Sequence, residues 1–119
     1  MTNNTNANKG DQIAYTPEQI ERGECVLVLL SKFIRANSHG TGAWPYIVGR
    51  AADSYMLGRT ISIRGILEDV REMDFSDDAG NKVTVNNDLA APMARLILKA
   101  HPEYAKLMET RKSVFDLLL

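Results

Sequence analysis

Apolar residues recur at helical spacing in five segments of the chain. Within each segment they return every three or four residues, which places their side chains on one face of an α-helix. The segments are 17–36, 44–59, 60–74, 89–100 and 102–119. A strand is an alternative at the start of the third segment, because Ile61 and Ile63 alternate with polar neighbours. The pattern predicts about five helices.

The first segment has the clearest start. Residues 16–19 read T-P-E-Q, with threonine as N-cap, proline at the first helical position and glutamine at the third. The apolar stripe from Ile20 to Ile34 is wide for a surface helix, so we expect this helix to lie in the centre of the core. The polar run 37–42, which contains two glycines, predicts its end.

Residues 75–86 interrupt the helical pattern. The run D-D-A-G-N at 77–81 indicates a turn, and Val83 and Val85 alternate with polar residues after it. This stretch predicts a short β-hairpin or a long polar loop. The predicted fold is a mainly α, compact single domain over 16–119, preceded by a flexible, polar and asparagine-rich tail at 1–15.

Composition limits the classes of protein to which the chain can belong. It has 119 residues, of which 45% are hydrophobic and 24% charged, as in ordinary globular domains. The single cysteine, Cys25, excludes a disulfide framework, and we expect it to be buried and inert within the run C-V-L-V-L-L. That run is far too short to cross a membrane. The N-terminus lacks the hydrophobic region of a secretory signal, so we expect a cytoplasmic location without a membrane partner.

The residue pattern does not indicate catalysis or metal binding. The chain has two histidines, His39 and His101, and neither belongs to a nucleophile motif. Glu68 and Glu72 lie one helical turn apart, but a solvated helix face accounts for them. No histidine, cysteine or carboxylate residues have the spacing of metal ligands. We therefore expect a non-enzymatic protein without a metal or a cofactor.

Charge is unevenly distributed, although the formal net charge is only −1. Residues 31–65 contain five basic residues and one acidic residue, whereas 66–81 contain six acidic residues and one basic residue. Such a division can steer a charged partner towards the surface. The candidate contacts for an anion or a partner are Arg35, His39, Trp44, Arg50, Arg59 and Arg64. The acidic candidates for partner contact are Glu68, Asp69, Glu72, Asp77 and Asp78.

The turn after the first helix, H-G-T-G at 39–42, is a candidate anion site. Glycine amides can converge on a phosphate, with Arg35, His39 and Arg50 around it and Trp44 stacked on a base. The turn lacks the Lys-Ser/Thr pair of a P-loop and the G-x-G-x-x-G pattern of a dinucleotide site. Its simpler interpretation is that it ends the first helix and orients Trp44 into the second.

A nucleic-acid interface is another alternative. Two helices over 44–73 followed by a hairpin would form a winged-helix-like arrangement, with Arg59 and Arg64 facing the nucleic acid and Lys82 on the wing. The second of these helices also carries three carboxylates, which phosphate would repel. Protein contact therefore ranks above nucleic-acid binding.

The C-terminal run S-V-F-D-L-L-L predicts an oligomer contact. Three consecutive leucines cannot all point to one face of a helix, so part of this surface requires a cover. The candidate interface residues for a homodimer are Phe115, Leu117, Leu118 and Leu119. The leading hypothesis is a small regulatory or inhibitory protein that acts through protein contacts. A winged-helix nucleic-acid binder and a binder of a small anionic ligand or nucleotide at 40–42 are the alternatives.

Overall fold

The chain forms a mainly α domain, and the computed structural model describes residues 14–119. Its helices are α1 Pro17–Ala36, α2 Ala43–Met56, α3 Ile63–Glu72, α4 Ala90–Ala100 and α5 Phe115–Leu118. Two 3₁₀ turns, Asn87–Leu89 and Pro102–Lys106, flank α4. The prediction of a mainly α fold with five helices is confirmed, whereas most of the predicted tail lies outside the described residues.

The start of α1 follows from its local sequence. The Thr16 Oγ1 atom accepts from the Gln19 amide at 3.1 Å, and the Thr16 amide donates to Gln19 Oε1 at 2.8 Å. This reciprocal pair satisfies two backbone donors that a helix start would otherwise leave unpaired. The capping box is therefore confirmed, and α1 ends at Asn37 as predicted.

The expectation that α1 lies in the centre of the core was wrong. Only one side of the helix is buried, through Gly23, Val26, Leu30 and Phe33. Val28 and Leu29 point away from the core and are exposed, because consecutive apolar residues are spread around the helix axis. Cys25 is also exposed, which corrects the expectation that it is buried.

The connection between α2 and α3 is a tightly capped turn. Gly58, with φ +67°, donates to the Tyr55 carbonyl, and the next amide, of Arg59, donates to the Ser54 carbonyl. These two bonds form a Schellman ending, in which glycine adopts the left-handed conformation without a steric penalty. The cap of α3 is Ser62, whose hydroxyl accepts from the Gly65 amide at 3.0 Å.

The loop between α3 and α4 is a long polar segment with a single β-bridge. The bridge joins Ser76 and Lys82, and the Val83 amide donates to the Phe75 carbonyl at 3.0 Å. Gly80, with φ +87°, makes the reversal between them. Residues 14–119 contain no strand beyond this bridge, so the predicted hairpin is reduced to one pairing and a wing of two strands is not formed.

The C-terminal region is not the single helix that the pattern over 102–119 predicts. The chain leaves the 3₁₀ turn at Leu107 and continues irregularly until α5. The Leu107 carbonyl accepts from the Ile61 amide at 2.8 Å instead of continuing a helical ladder, and Tyr104 and Met108 are buried. Tertiary contacts with the α2–α3 connection therefore override the local helical preference.

One hydrophobic core joins the first four helices. Its largest fully buried side chains are Leu30, Ile47, Leu67, Met93, Val70 and Pro92. They come from α1, α2, α3 and α4, and Phe115 of α5 closes the same core at one side. The parts of these helices that face away from the core are the surfaces on which a site can lie.

Candidate functional site

The glycine turn at 39–42 is closed by its own backbone. The Gly42 amide donates to the His39 carbonyl at 2.7 Å, and the Trp44 amide donates to the Asn37 carbonyl at 3.1 Å. Trp44 is half-buried and packs against the core at the start of α2. These contacts are those of a helix end followed by an anchored helix start.

The start of this turn contacts a carboxylate of the same chain, that of Asp78. The His39 amide donates to Asp78 Oδ1 at 3.3 Å, and the Asp78 amide donates to the Ala36 carbonyl at 2.7 Å. His39 Nε2 lies 3.0 Å from the Ser76 carbonyl, which can only accept, so Nε2 carries a proton. His39 Nδ1 lies 3.2 Å from the Thr41 hydroxyl. The loop after α3 thus docks on the first residue of the turn, because both the amide and the ring of His39 contact it.

The arginines do not converge on the turn. Arg50 Nη1 donates to Tyr46 Oη at 2.6 Å and to Asp69 Oδ2 at 3.2 Å, which ties α2 to α3. The hydrogen bond and charge interaction with Tyr46 are the main causes that raise the pKa of Arg50 above its ordinary value, and Asp69 contributes less. Arg35 and Arg59 are exposed and pair with no described carboxylate.

The acidic candidates lie in two places. Glu68, Asp69 and Glu72 line the groove between α2 and α3. Asp77 and Asp78 belong to the docked loop, where the Asp77 carboxylate accepts from two amides of its own turn. The three carboxylates of α3 would repel the phosphates of a nucleic acid that approached this groove. Arg64 is exposed near the start of the same helix.

The predicted C-terminal contact is divided between core and surface. Phe115 is buried in the core, so its assignment to an oligomer interface was wrong. Leu118 is half-buried and packs beside Gly23 of α1. Leu117, with 63% of its surface exposed, and Leu119 remain at the surface. Of the four predicted interface residues, only Leu117 and Leu119 are therefore exposed apolar side chains.

The surface that sequence reasoning missed is the solvent side of α1. Val28 and Leu29 are 55% and 45% exposed, and the exposed Cys25 lies one turn before them. Charged residues flank these apolar residues on the same side of the helix. We call this surface the α1 outer face; its residues are Glu21, Glu24, Cys25, Val28, Leu29, Lys32 and Arg35. The sequence pattern carries no signal for this surface, because the apolar residues at 26–30 are spread around the helix axis.

A groove with both apolar and polar walls borders the α1 outer face. It has a volume of about 390 Å³ and runs between α1 and the loop after α3. Leu29 lies on its edge, and Phe33, Val83 and Val85 line its walls. Apolar surface thus continues from the helix into the groove, which makes this region wider than the three exposed side chains alone.

The pKa shifts of Asp116 and Tyr104 have structural causes, namely a hydrogen bond and burial. Asp116 has a lowered pKa because its carboxylate accepts from Arg95, and burial raises the pKa of Tyr104. Among residues 14–119, no three histidine, cysteine or carboxylate side chains are close enough together to hold a metal ion. No described helix is both long enough and apolar enough to cross a bilayer.

We compared the chain with known proteins at the level of family, sequence and structure. No protein-family model, curated protein or solved structure matches the chain.

Proposed function

We propose that the protein is a non-enzymatic regulator or inhibitor that acts by contact with a protein partner, and that the α1 outer face is its contact surface. The observation that carries the proposal is the exposure of Val28 and Leu29 in the middle of the longest helix. Covering two half-exposed aliphatic side chains would stabilise a complex by about 1 kcal/mol each. Such an arrangement, apolar in the centre and charged at its margins, is typical of a protein interface.

The two alternatives have less support. Asp78 already accepts from the His39 amide at the start of the glycine turn, so a small anion bound there would meet the negative charge of a carboxylate of the chain itself. The exposed side of α3 carries Glu68 and Glu72, and nucleic acid would approach these negative charges at an electrostatic cost. We therefore retain protein contact as the proposed function.

Cys25 is a native reporter for this proposal, because it is the only cysteine and lies on the α1 outer face. The experiment measures the rate at which maleimide alkylates Cys25 in dilute protein, in concentrated protein and in extract of the native source. We expect a slower rate wherever a partner covers the face. A matched control carries Cys25→Ser and Leu57→Cys, which moves the thiol to a residue that is 65% exposed at the end of α2.

The comparison of the two thiols decides the outcome. Protection of Cys25 without protection of the thiol at position 57 supports the proposed surface. Equal rates at Cys25 under all three conditions would overturn the proposal, because a partner that covers the α1 outer face would slow access to a thiol within it.

A further inference from the structure

We propose that the partner of the α1 outer face is a second copy of this chain, with the two α1 helices packed antiparallel about Val28. This inference rests on the proposed function, because it names the occupant of the same surface. Three observations carry it: the direction of Val28, the order of charges along the helix and the length of the face.

Val28 is at the centre of the exposed side of α1. Each residue advances about 100° around a helix, so Val28 lies about 160° away from both Val26 and Leu30, which are buried. Glu21 and Arg35 lie within about 20° of the direction of Val28. A second helix that packs on Val28 therefore contacts these charged residues as well.

The charges on this side are divided along the helix axis. The two acidic residues, Glu21 and Glu24, precede Val28 by seven and four positions. The two basic residues, Lys32 and Arg35, follow it by four and seven positions. None of the four forms an ion pair with a described residue. The face is therefore acidic on one side of Val28 and basic, at equal spacing, on the other.

This order of charges is complementary to itself in one orientation only. A twofold axis through Val28 lays the acidic half of one α1 over the basic half of the other. A parallel pair would instead place carboxylates on carboxylates and cations on cations, which is unfavourable. The arrangement is isologous, as closed dimers require, because the same patch serves both copies.

The size of the face predicts a weak dimer. The 20 residues of α1 span about 30 Å, and one helix-on-helix contact of this length buries less than a standard interface of about 1,600 Å². The groove beside Leu29 adds apolar surface at the edge of the contact. We expect a dissociation constant on the order of tens of micromolar, so the dimer dissociates on dilution.

A charge-exchange experiment tests the orientation. One variant carries Glu21→Lys and Glu24→Lys, which makes the whole face basic, and a second carries Lys32→Glu and Arg35→Glu, which makes it acidic. Sedimentation equilibrium measures each variant alone and in equimolar mixture, with Arg59→Glu as a control at an exposed arginine outside the face. Circular dichroism verifies that each variant folds.

We expect the native chain and the control to dimerise, each face variant alone to do so at least about tenfold more weakly, and the mixture to recover dimerisation. A native chain that is monomeric at about 1 mM would overturn the proposal. A mixture as weak as its components would overturn it too, because opposite faces must attract if the pairing is antiparallel.

A cross-linking experiment tests the register. In the background Cys25→Ser, the substitution Val28→Cys places one thiol from each copy on the twofold axis, where an air-oxidised disulfide should form. The native Cys25 should resist cross-linking, since the two copies of residue 25 are about 9 Å apart along the axis alone, beyond disulfide reach. Cross-linking at Cys25 and not at position 28 would contradict the register.

Failure of this inference is distinguishable from failure of the proposed function. If Cys25 is protected by extract but not by raising the concentration of the chain itself, the face binds a different protein. That result overturns the second-copy proposal and leaves the proposed function standing. If neither condition protects Cys25, both proposals fail.

Discussion

The contact between α4 and the C-terminal segment can be tested by substituting Asp116. Arg95 Nε donates to Asp116 Oδ1 at 2.7 Å, and the Ser113 amide donates to Oδ2 at 2.9 Å. Arg95 also donates to the backbone carbonyls of Ala91 and Arg111. The Arg95 side chain is only 10% exposed, so its charge depends on these partners. Through this network, α4 binds both α5, at Asp116, and the segment that precedes it, at Arg111.

The structure sets the size of the effect of Asp116→Asn. The substitution keeps the shape of the side chain but removes the charge. Its amide has only one oxygen, so the bonds accepted at either Oδ1 or Oδ2 are lost. Because the Asp116 side chain is 52% exposed, solvent screens much of the attraction. We expect a loss of about 1 kcal/mol in the free energy of unfolding, or roughly 4 °C in Tm. Arg95→Met removes all the bonds of the guanidinium and should cost about 2–3 kcal/mol.

The effect of Asp116→Asn must also depend on pH. The hydrogen bond from Arg95 lowers the pKa of Asp116 below its ordinary value of 3.8 in the folded chain. A lowered folded-state pKa contributes stability that is complete above the unfolded-state value and is lost as pH falls through the folded-state value. The difference in Tm between the native chain and the variant should therefore be full at pH 7 and shrink below about pH 4.

Thermal unfolding monitored by circular dichroism measures this effect. Glu109→Gln is the matched control, because Glu109 is exposed and forms no described ion pair. If Asp116→Asn leaves Tm unchanged at pH 7, or if its deficit at pH 2.5 is as large as at pH 7, the attribution of stability to this ion pair is refuted.

The remaining predictions concern packing in the helices. Gly23→Ala should lower the free energy of unfolding by about 1–3 kcal/mol, because an added Cβ would lie 2.8 Å from Leu118 Cδ1 and 2.9 Å from Val114 Cγ1. Gly49→Ala is its counterpart in α2, where nothing lies within 4 Å of the added atom, and it should raise stability by about 0.5–1 kcal/mol. Urea titration measures the free energy of unfolding of both variants. Changes of the same sign in the two variants would contradict this account of the packing between α1 and α5. Leu30→Ala, at a side chain 2% exposed, should cost about 3–5 kcal/mol; a cost below about 1 kcal/mol would show that α1 does not anchor the core.

Features whose causes are local could be predicted from the sequence. The capping box at Thr16 depends on residues within one helical turn and occurs where the pattern placed it. The end of α1 at Asn37 is local in the same sense. The helical periodicity of the whole chain follows from the same short-range geometry, which is why the fold class was correct.

Which apolar residues are exposed could not be predicted from the sequence, because exposure depends on contacts between residues that are distant in the chain. The pattern alone does not tell whether an apolar residue next to a buried one is also covered, and Cys25, Val28 and Leu29 are not. In the opposite direction, Phe115 was assigned to an interface and packs into the core. The carboxylate that contacts the His39 amide belongs to Asp78, a residue 39 positions away, which no motif at 39–42 could identify.

The sequence by itself determined where helices begin and end over most of the chain, because caps, glycines and apolar spacing act within a few residues. Only the tertiary structure decided which side of α1 faces solvent and how the chain continues after Leu107. Both depend on free energy gained when segments far apart in the chain meet. Burial of one side of α1 leaves Val28 exposed between opposite charges, and that surface is the one we propose the protein uses.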